Sequence, residues 1–325
     1  MKAILVNDDR TLRYDNVPDP ILSEDDCLVK IEAAALNRAD LMQREGDYPP
    51  PPGCPEWMGL EVSGEIVEIG EEAKKQSSYK IGDKVCCLLG GGGYAEYVAV
   101  KYDMCMPVPD NCSMAEAAAI PEAFATAYLK LFVEGKAKEG DTLLMNAGAS
   151  GLASVIIPMA KAYGLRVLTT VRTDPTQIMH LGADLVINTE EQDLPEVLKN
   201  EELAGRAVDI AIDCLGGNVL GECLPYVKYG CRWIVIAALA GETTQINLKN
   251  IYKKNIRIIG STLRSRTPEM KAQILASLVS DIWPKVASGV IKPTIHAVLP
   301  ITEAEAAHDI LYRGENVGKV VLKVL

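Results

Sequence analysis

Apolar and polar residues alternate in short bursts along the first third of the chain. "CLVKIEAAAL" (27–36), "EVSGEIVEIG" (61–70), "KIGDKVCCLL" (80–89) and "YAEYVAV" (94–100) are separated by clusters of Gly, Pro and Asp. Period-two alternation bounded by turn residues predicts half-buried strands, and several in succession predict a β-rich, barrel-like domain. The opening "MKAILVNDDR" meets Asn7 and two aspartates too soon for a signal-peptide core, and reads as a first strand. "DYPPPPG" (47–53) reads as a rigid extended loop because successive prolines fix φ. That loop is either a spacer or a mount that holds Tyr48 in one place.

The pattern changes near residue 113. In "SMAEAAAIPEAFATAYLKLF" Ser113 and Glu116 have capping-box spacing, and Pro121 should interrupt the helix they open. Short β-branched runs then alternate with helix-length segments. The strands are "TLLMNA" (142–147), "RVLTTV" (166–171), "DLVIN" (184–188), "VDIAID" (208–213), "CRWIVIAAL" (231–239) and "IRIIG" (256–260), with a helix from about 151. This order predicts a doubly wound parallel sheet, an α/β fold. A long helix is expected over roughly 268–287, and "VGKVVLKVL" (317–325) reads as a strand returning to the first domain. The expected division is 1–122 with 267–325 for the β-rich domain and 123–266 for the parallel sheet.

Composition narrows the function classes. The net charge of −11 repels phosphate backbones, so general nucleic-acid binding is not expected. The longest apolar run, Trp233 to Ala240, is far below the ~20 residues that span a bilayer, so no membrane partner is expected either. Nine cysteines at irregular spacing, with no C-x-x-C pair, suit a reducing compartment, and the cytoplasm is the expected location.

"GLEVSGEIVEIG" (59–70) raises the question of metal, because a histidine in place of Leu60 would offer zinc an imidazole. Leucine has no lone pair. His180, His296 and His308 are scattered, and Cys86 and Cys87 are adjacent, so in a strand they point to opposite faces. No metal site is expected. Glu61 then reads as a carboxylate paired with a basic residue, with Arg38 as the candidate.

"DTLLMNAGASGLASVIIPMAKAYG" (141–164) is a strand, a small-residue turn and a helix. Gly148, Ser150, Gly151 and Ala153 give a turn where phosphate can approach the backbone at a helix N-terminus, or else a merely structural turn. The context of a strand before and a helix after favours the nucleotide. At the end of the second strand stand Thr170, Arg172 and Thr173, with no carboxylate before Asp174. A guanidinium and hydroxyls suit a 2′-phosphate, so NADPH is expected over NADH, unless Arg172 is simply a solvated charge. Pro158, in mid-helix, should cause a kink.

The stretches "AALNRADLMQREGDYPPPPG" (34–53), "GLEVSGEIVEIG", "LLGGGGYAEYV" (88–98), "AAAIPEAFATAY" (117–128), "NAGASGLA" (146–153), "DCLGG" (213–217), "STLRSR" (261–266) and "NVGKVVL" (316–322) together resemble a known family over nearly the whole chain. They look like the zinc-free quinone oxidoreductases of the medium-chain dehydrogenase/reductase superfamily, most of all its tumour-suppressor-inducible branch. The resemblance implies a GroES-like substrate domain, a Rossmann domain, a cleft between them and a homodimer. It also implies NADPH as cofactor and direct reduction of a quinone without metal. By match, Ser150, Gly151 and Leu152 would meet the pyrophosphate and Arg172 the adenosine phosphate. Thr126 and the turns at Cys214–Leu215 and Ala237–Leu239 would approach the nicotinamide. Leu263, Arg264, Ser265 and Asn316 would close over the cofactor. Asn37 and Tyr48 would line the substrate site, which makes the proline loop more than a spacer.

The chain departs from the family's pattern in places. Ala153 replaces a third glycine, and Pro158 a common glutamine. The segment from Arg172 to Gly182 is about two residues shorter and lacks an expected lysine, and Thr189 stands where a tyrosine is expected. Because a quinone is a strong electrophile, hydride transfer needs mainly proximity and orientation. Tyr48 or Asn37 would meet the charge on its oxygen, with water giving the proton. Two other readings stay open. One is an NADPH-dependent 2-alkenal or enoyl reductase; the other is a nucleotide-binding redox sensor with little turnover.

Overall fold

The computed structural model describes residues 1–172 and 174–324; Thr173, part of the 2′-phosphate expectation, lies outside them. The chain divides into two compact units, Met1–Ala125 with Arg266–Leu325, and Thr126–Ser265.

The first unit holds β1 (Lys2–Val6), β2 (Leu12–Asn16), β3 (Asp26–Ala35), β4 (Glu61–Ile69), β5 (Lys84–Leu88), β6 (Tyr97–Lys101) and β7 (Cys105–Pro107). The second holds β8 (Thr142–Met145), β9 (Arg166–Val171), β10 (Leu185–Asn188), β11 (Ile210–Asp213), β12 (Arg232–Val235) and β13 (Arg257–Gly260). β14 (Ile295–Pro300) and β15 (Lys319–Lys323) then return to the first unit.

In the first unit the strand order is β14-β15-β3-β4-β5-β7, and β6 also pairs with β3. β3 is the hub. β6 takes the first half of one of its edges, β15 takes the second half, and β4 lies along the other edge. Register shifts between Ile31 and Ala33 bend β3 against β4. Gly64 sits at that bend, where an added Cβ would lie 2.1 Å from the Lys30 carbonyl oxygen. The second glycine of "GLEVSGEIVEIG" therefore lets two backbones meet. Ser113 caps the helix Met114–Ala118 through the Glu116 amide, and a second helix starts at Pro121, as the spacing predicts.

The second unit is a six-stranded parallel sheet, as the alternating runs predict, and its strand order is β10-β9-β8-β11-β12-β13. Trp233 is wholly buried among Leu144, Leu168, Leu198 and Leu220. β12 stops at Val235, four residues before the end of the strand expected over 231–239. The helix Ala153–Ala162 continues through Pro158, whose ring removes one backbone donor without ending the helix. The long helix expected over 268–287 is instead Pro268–Ser277, a π turn at Leu278–Ile282 and Trp283–Ala287. Among the described residues no helix is long and apolar enough to cross a membrane.

One buried group in the first unit gives the fold a pH dependence. His308, on the helix Ala304–Arg313, is 1% exposed, and neither ring nitrogen has a hydrogen-bond partner among the described residues. Its ring meets the Tyr94 ring edge-on at 5.9 Å. Burial holds its pKa down to about 4, with Arg44 adding repulsion and Glu305 opposing it. The unfolded imidazole takes a proton near its ordinary pKa while the folded one stays neutral, so stability falls as pH drops from about 6.5 towards 4. Between about pH 7 and pH 5 the protein should lose on the order of 1 kcal/mol more than its His308→Gln variant, measured by urea unfolding. Equal slopes for the two proteins would refute this.

Candidate active site

Each unit carries its own cluster of chemistry-bearing residues. In the second unit the cluster lies at the carboxyl ends of the strands. β8 runs into Asn146 and a turn in which Ala147 adopts φ +57°. The Ala147 amide donates to Thr170 Oγ1 (3.0 Å), and the Gly148 amide donates to the Thr170 carbonyl (2.7 Å). An added Cβ on Gly148 would lie 2.5 Å from Thr169 Oγ1 and 2.7 Å from Ile178 Cδ1, so only glycine fits. Ser150 Oγ accepts from the Ala153 amide (3.1 Å) at the start of the helix. The amides of Gly151 and Leu152 have no acceptor among the described residues. They are the unpaired donors of a helix N-terminus that can take an anion.

A buried polar network ties this turn to its neighbours. Thr170 Oγ1 donates to Asn146 Oδ1 (3.3 Å), and Asn146 Nδ2 donates to Asp213 Oδ1 (3.0 Å). The same Oδ1 accepts from the amides of Leu215 (2.9 Å) and Gly216 (3.1 Å), while Oδ2 accepts from Trp233 Nε1 (3.0 Å). The Leu239 and Ala240 amides donate back to the carbonyls of Cys214 and Leu215. The turns after β8, β9, β11 and β12 are thus fixed together. Thr170, expected to touch cofactor, is 2% exposed with its hydroxyl engaged inside the network, so it shapes the turn instead. Asn146 and Asp213 were not singled out from the sequence; their position at the last residue of a strand, or just beyond it, was the available signal.

Arg172 is exposed just past β9, with no hydrogen bond or ion pair among the described residues. Asp174, the next acid, is turned onto the Thr176 amide (2.9 Å) and hydroxyl (2.6 Å), which holds its pKa below the usual range. The Thr189 hydroxyl donates to the Val171 carbonyl (3.1 Å). Cys214 is a poor nucleophile, because burial and Asp213 push its thiol up to about 12. Thr126, Leu215 and Ala237 are half-buried and Leu239 is 56% exposed. Leu263 is buried and Arg264 half-buried, while the hydroxyl of exposed Ser265 meets Thr262 Oγ1 (2.7 Å).

In the first unit Asn37 leaves the end of β3 and caps the helix Arg38–Glu45, its amide donating to Asp40 Oδ2 (2.7 Å). Its side chain enters a buried ionic cluster. Lys319 Nζ donates to Asn37 Oδ1 (2.7 Å) and pairs with Glu61 Oε1 (2.6 Å), and Asn37 Nδ2 donates to the same Glu61 oxygen (3.0 Å). Glu61 Oε2 accepts from the Glu122 amide (2.8 Å). Glu61 is wholly buried and Lys319 is 4% exposed. The partner of Glu61 is therefore Lys319; the expected Arg38 donates instead to the Leu311 carbonyl (3.0 Å). Burial and then the charge of Glu61 raise Glu122 to about 7, against Lys319 and Lys271. Burial raises Asp40 to about 6, against donors from Asn37, Tyr94 and Gly59. Asn316, just before β15, is half-buried and donates to the Gly318 carbonyl (2.7 Å); Tyr48 is half-buried in the proline loop.

Residues 23–110 match the family model of the alcohol dehydrogenase GroES-like domain, and residues 151–280 that of the zinc-binding dehydrogenases. A quinone oxidoreductase from Sus scrofa is 30% identical over 311 residues, covering 94% of this chain and 92% of that protein. The chain belongs to the quinone oxidoreductases of the medium-chain dehydrogenase/reductase superfamily. Among solved structures, the quinone oxidoreductase of Thermus thermophilus, also solved in complex with NADPH, aligns with TM-score 0.81 at 29% identity over 99% of this chain and all of that one. An NAD-dependent alcohol dehydrogenase aligns with TM-score 0.83 at 26% identity over the whole of both chains. The two units are thus a GroES-like domain and a Rossmann-type domain of an oxidoreductase.

The description of the second family model implies zinc, and the donors present do not fit it. Among the described residues no group of three or more His, Cys, Asp or Glu side chains is placed to hold a metal ion. Leu60 is a buried hydrocarbon, and the oxygens of Glu61 are taken by an ammonium and two N–H groups.

The strand-end network predicts a stability effect. Thr170→Val keeps the shape but leaves the Ala147 amide without its acceptor, and should cost about 1–3 kcal/mol. A lower urea midpoint for the Rossmann-type unit, followed by Trp233 fluorescence, checks it. An unchanged midpoint would show that the hydroxyl does not hold the turn.

Proposed function

We propose that this protein is an NADPH-dependent quinone reductase that works without zinc, its acceptor held by Asn37 and Tyr48. The observation that carries the nucleotide half is the uncommitted guanidinium of Arg172, together with an Asp174 already engaged by Thr176. A 2′-phosphate gains a charged partner there, and the first acid after it, Asp174, is already engaged. The Gly148 turn, with no room for a Cβ, and the unpaired amides of Gly151 and Leu152 fit a pyrophosphate.

The bound nucleotide would supply a hydride, which a quinone accepts with a proton from water. The chain's task is to orient the acceptor and to offer hydrogen bonds where its oxygen gains charge. Asn37 and Tyr48 are assigned that task, and Leu60 and the saturated Glu61 support a reaction with no Lewis acid. Among the described residues none of the nine cysteines forms a disulfide, which supports a cytoplasmic setting. β13 is an open edge of the parallel sheet, with Ile258 41% exposed, and supports pairing with β13 of a second copy in a homodimer.

The decisive measurement is steady-state oxidation of NADPH and NADH with 1,2-naphthoquinone after exhaustive EDTA treatment. Turnover should survive chelation and prefer NADPH. Arg172→Ala should raise the KM for NADPH about 10-fold or more while leaving that for NADH unchanged. Equal use of both nucleotides would remove the role of Arg172. Reduction of a 2-alkenal in place of the quinone would establish the alkenal reductase, and nucleotide binding without turnover the sensor. Sedimentation should give a two-chain mass that Ile258→Lys reduces to one.

A further inference from the structure

The ionic cluster around Asn37 does more than fill a buried space. In the register of β15 on β3, Val321 lies opposite Ala35, and one two-residue step onwards brings Lys319 across from Asn37 on the same face. A lysine ammonium has only hydrogens to offer, so the Asn37 atom 2.7 Å from it must be the oxygen. The carboxamide therefore cannot flip. Its nitrogen gives one hydrogen to Glu61 Oε1 at 3.0 Å and the other to the Ala35 carbonyl at 3.4 Å, the longest bond of the set. That long bond is the one a ligand oxygen can share or displace.

We propose that Lys319 is the positioning residue that locks the Asn37 carboxamide with its oxygen on the ammonium and its weakly held N–H left for a ligand, so that the site selects an acceptor through a carbonyl oxygen. The proposal rests on the quinone-reductase reading and extends it to a residue that touches neither substrate nor cofactor. Lys319 also polarises the carboxamide it holds, which strengthens that N–H towards an oxygen that gains negative charge. Glu61 supplies the counter-charge that lets the ammonium stay buried, and its second oxygen is held by the Glu122 amide, so the pair cannot swing away. Without Lys319 the carboxamide is free to turn its oxygen towards the ligand, where it would repel a carbonyl.

A double-mutant cycle tests this. Lys319→Met should raise the KM for 1,2-naphthoquinone about 10-fold while the Kd for NADPH stays within about twofold of the unsubstituted enzyme. Lys319→Arg, which keeps the donors, should restore most of the loss. Because Lys319 acts through Asn37, the Asn37→Ala/Lys319→Met pair should be no worse than Asn37→Ala alone. Losses that multiply would overturn the proposal, as would a Lys319→Met enzyme that loses NADPH affinity and quinone affinity equally. If Lys319→Met does not fold because Glu61 is left charged and buried, the neutral pair Glu61→Gln/Lys319→Met serves instead. The same rise in KM in that pair supports the proposal, and an unchanged KM refutes it. Absence of quinone turnover in the unsubstituted enzyme would remove the reading beneath the proposal, an outcome distinct from turnover that ignores Lys319.

Discussion

The buried pair between Glu61 and Lys319 constrains the GroES-like unit more than any other contact. Two charges taken out of water are costly unless they are paired and hydrogen-bonded, and here Glu61 meets an ammonium, a carboxamide and a backbone amide. Glu61 opens β4, and its partners come from the start of β15, from just past the end of β3 and from the helix that starts at Pro121, so the pair can form only when those elements are in their final register. A one-residue slip of β15 would turn Lys319 to the other face and leave Glu61 unpaired. The ion pair thus specifies the register of the sheet as well as the setting of Asn37.

In the Rossmann-type unit a neutral-to-charged network has the same part. Asp213 receives four hydrogen bonds, from Asn146, Trp233 and the amides of Leu215 and Gly216. The turns that follow β8, β9 and β11 are therefore not independent loops. Each takes its shape in part from a carboxylate at the end of β11.

Much of this was legible in the sequence, and the illegible part has a physical pattern. Strand positions followed from alternation, the Ser113 cap from its spacing, and the glycine turn from its place between β8 and a helix. What depended on distant pairing was hidden. Lys319 stands 282 residues from Asn37, so the sequence suggested the nearby Arg38 as the partner of Glu61. The sequence does not show β14, because its burial alternates between half-buried and exposed places while its residues do not follow suit: Val298, an apolar residue, is 47% exposed. The π turn at Leu278–Ile282 interrupts an unbroken helical pattern, since the bonding of a helix backbone is not encoded by apolar spacing alone. Thr170 illustrates the limit on site residues: its hydroxyl was recognised as important, but its direction was not, and direction decided that it faces inward.

The discontinuity of the GroES-like unit bears on how the chain is made. Its hub strand β3 is synthesised long before β15, the strand that covers the second half of one edge: Lys319 follows Asn37 by 282 residues. The Rossmann-type unit, contiguous from Thr126 to Ser265, can complete its sheet while synthesis continues. During that interval the nascent chain carries a finished nucleotide fold beside an open β edge and a buried-type carboxylate with no counter-ion. A product released before Lys319 is added would retain that defect, and would present quality-control machinery with an exposed strand.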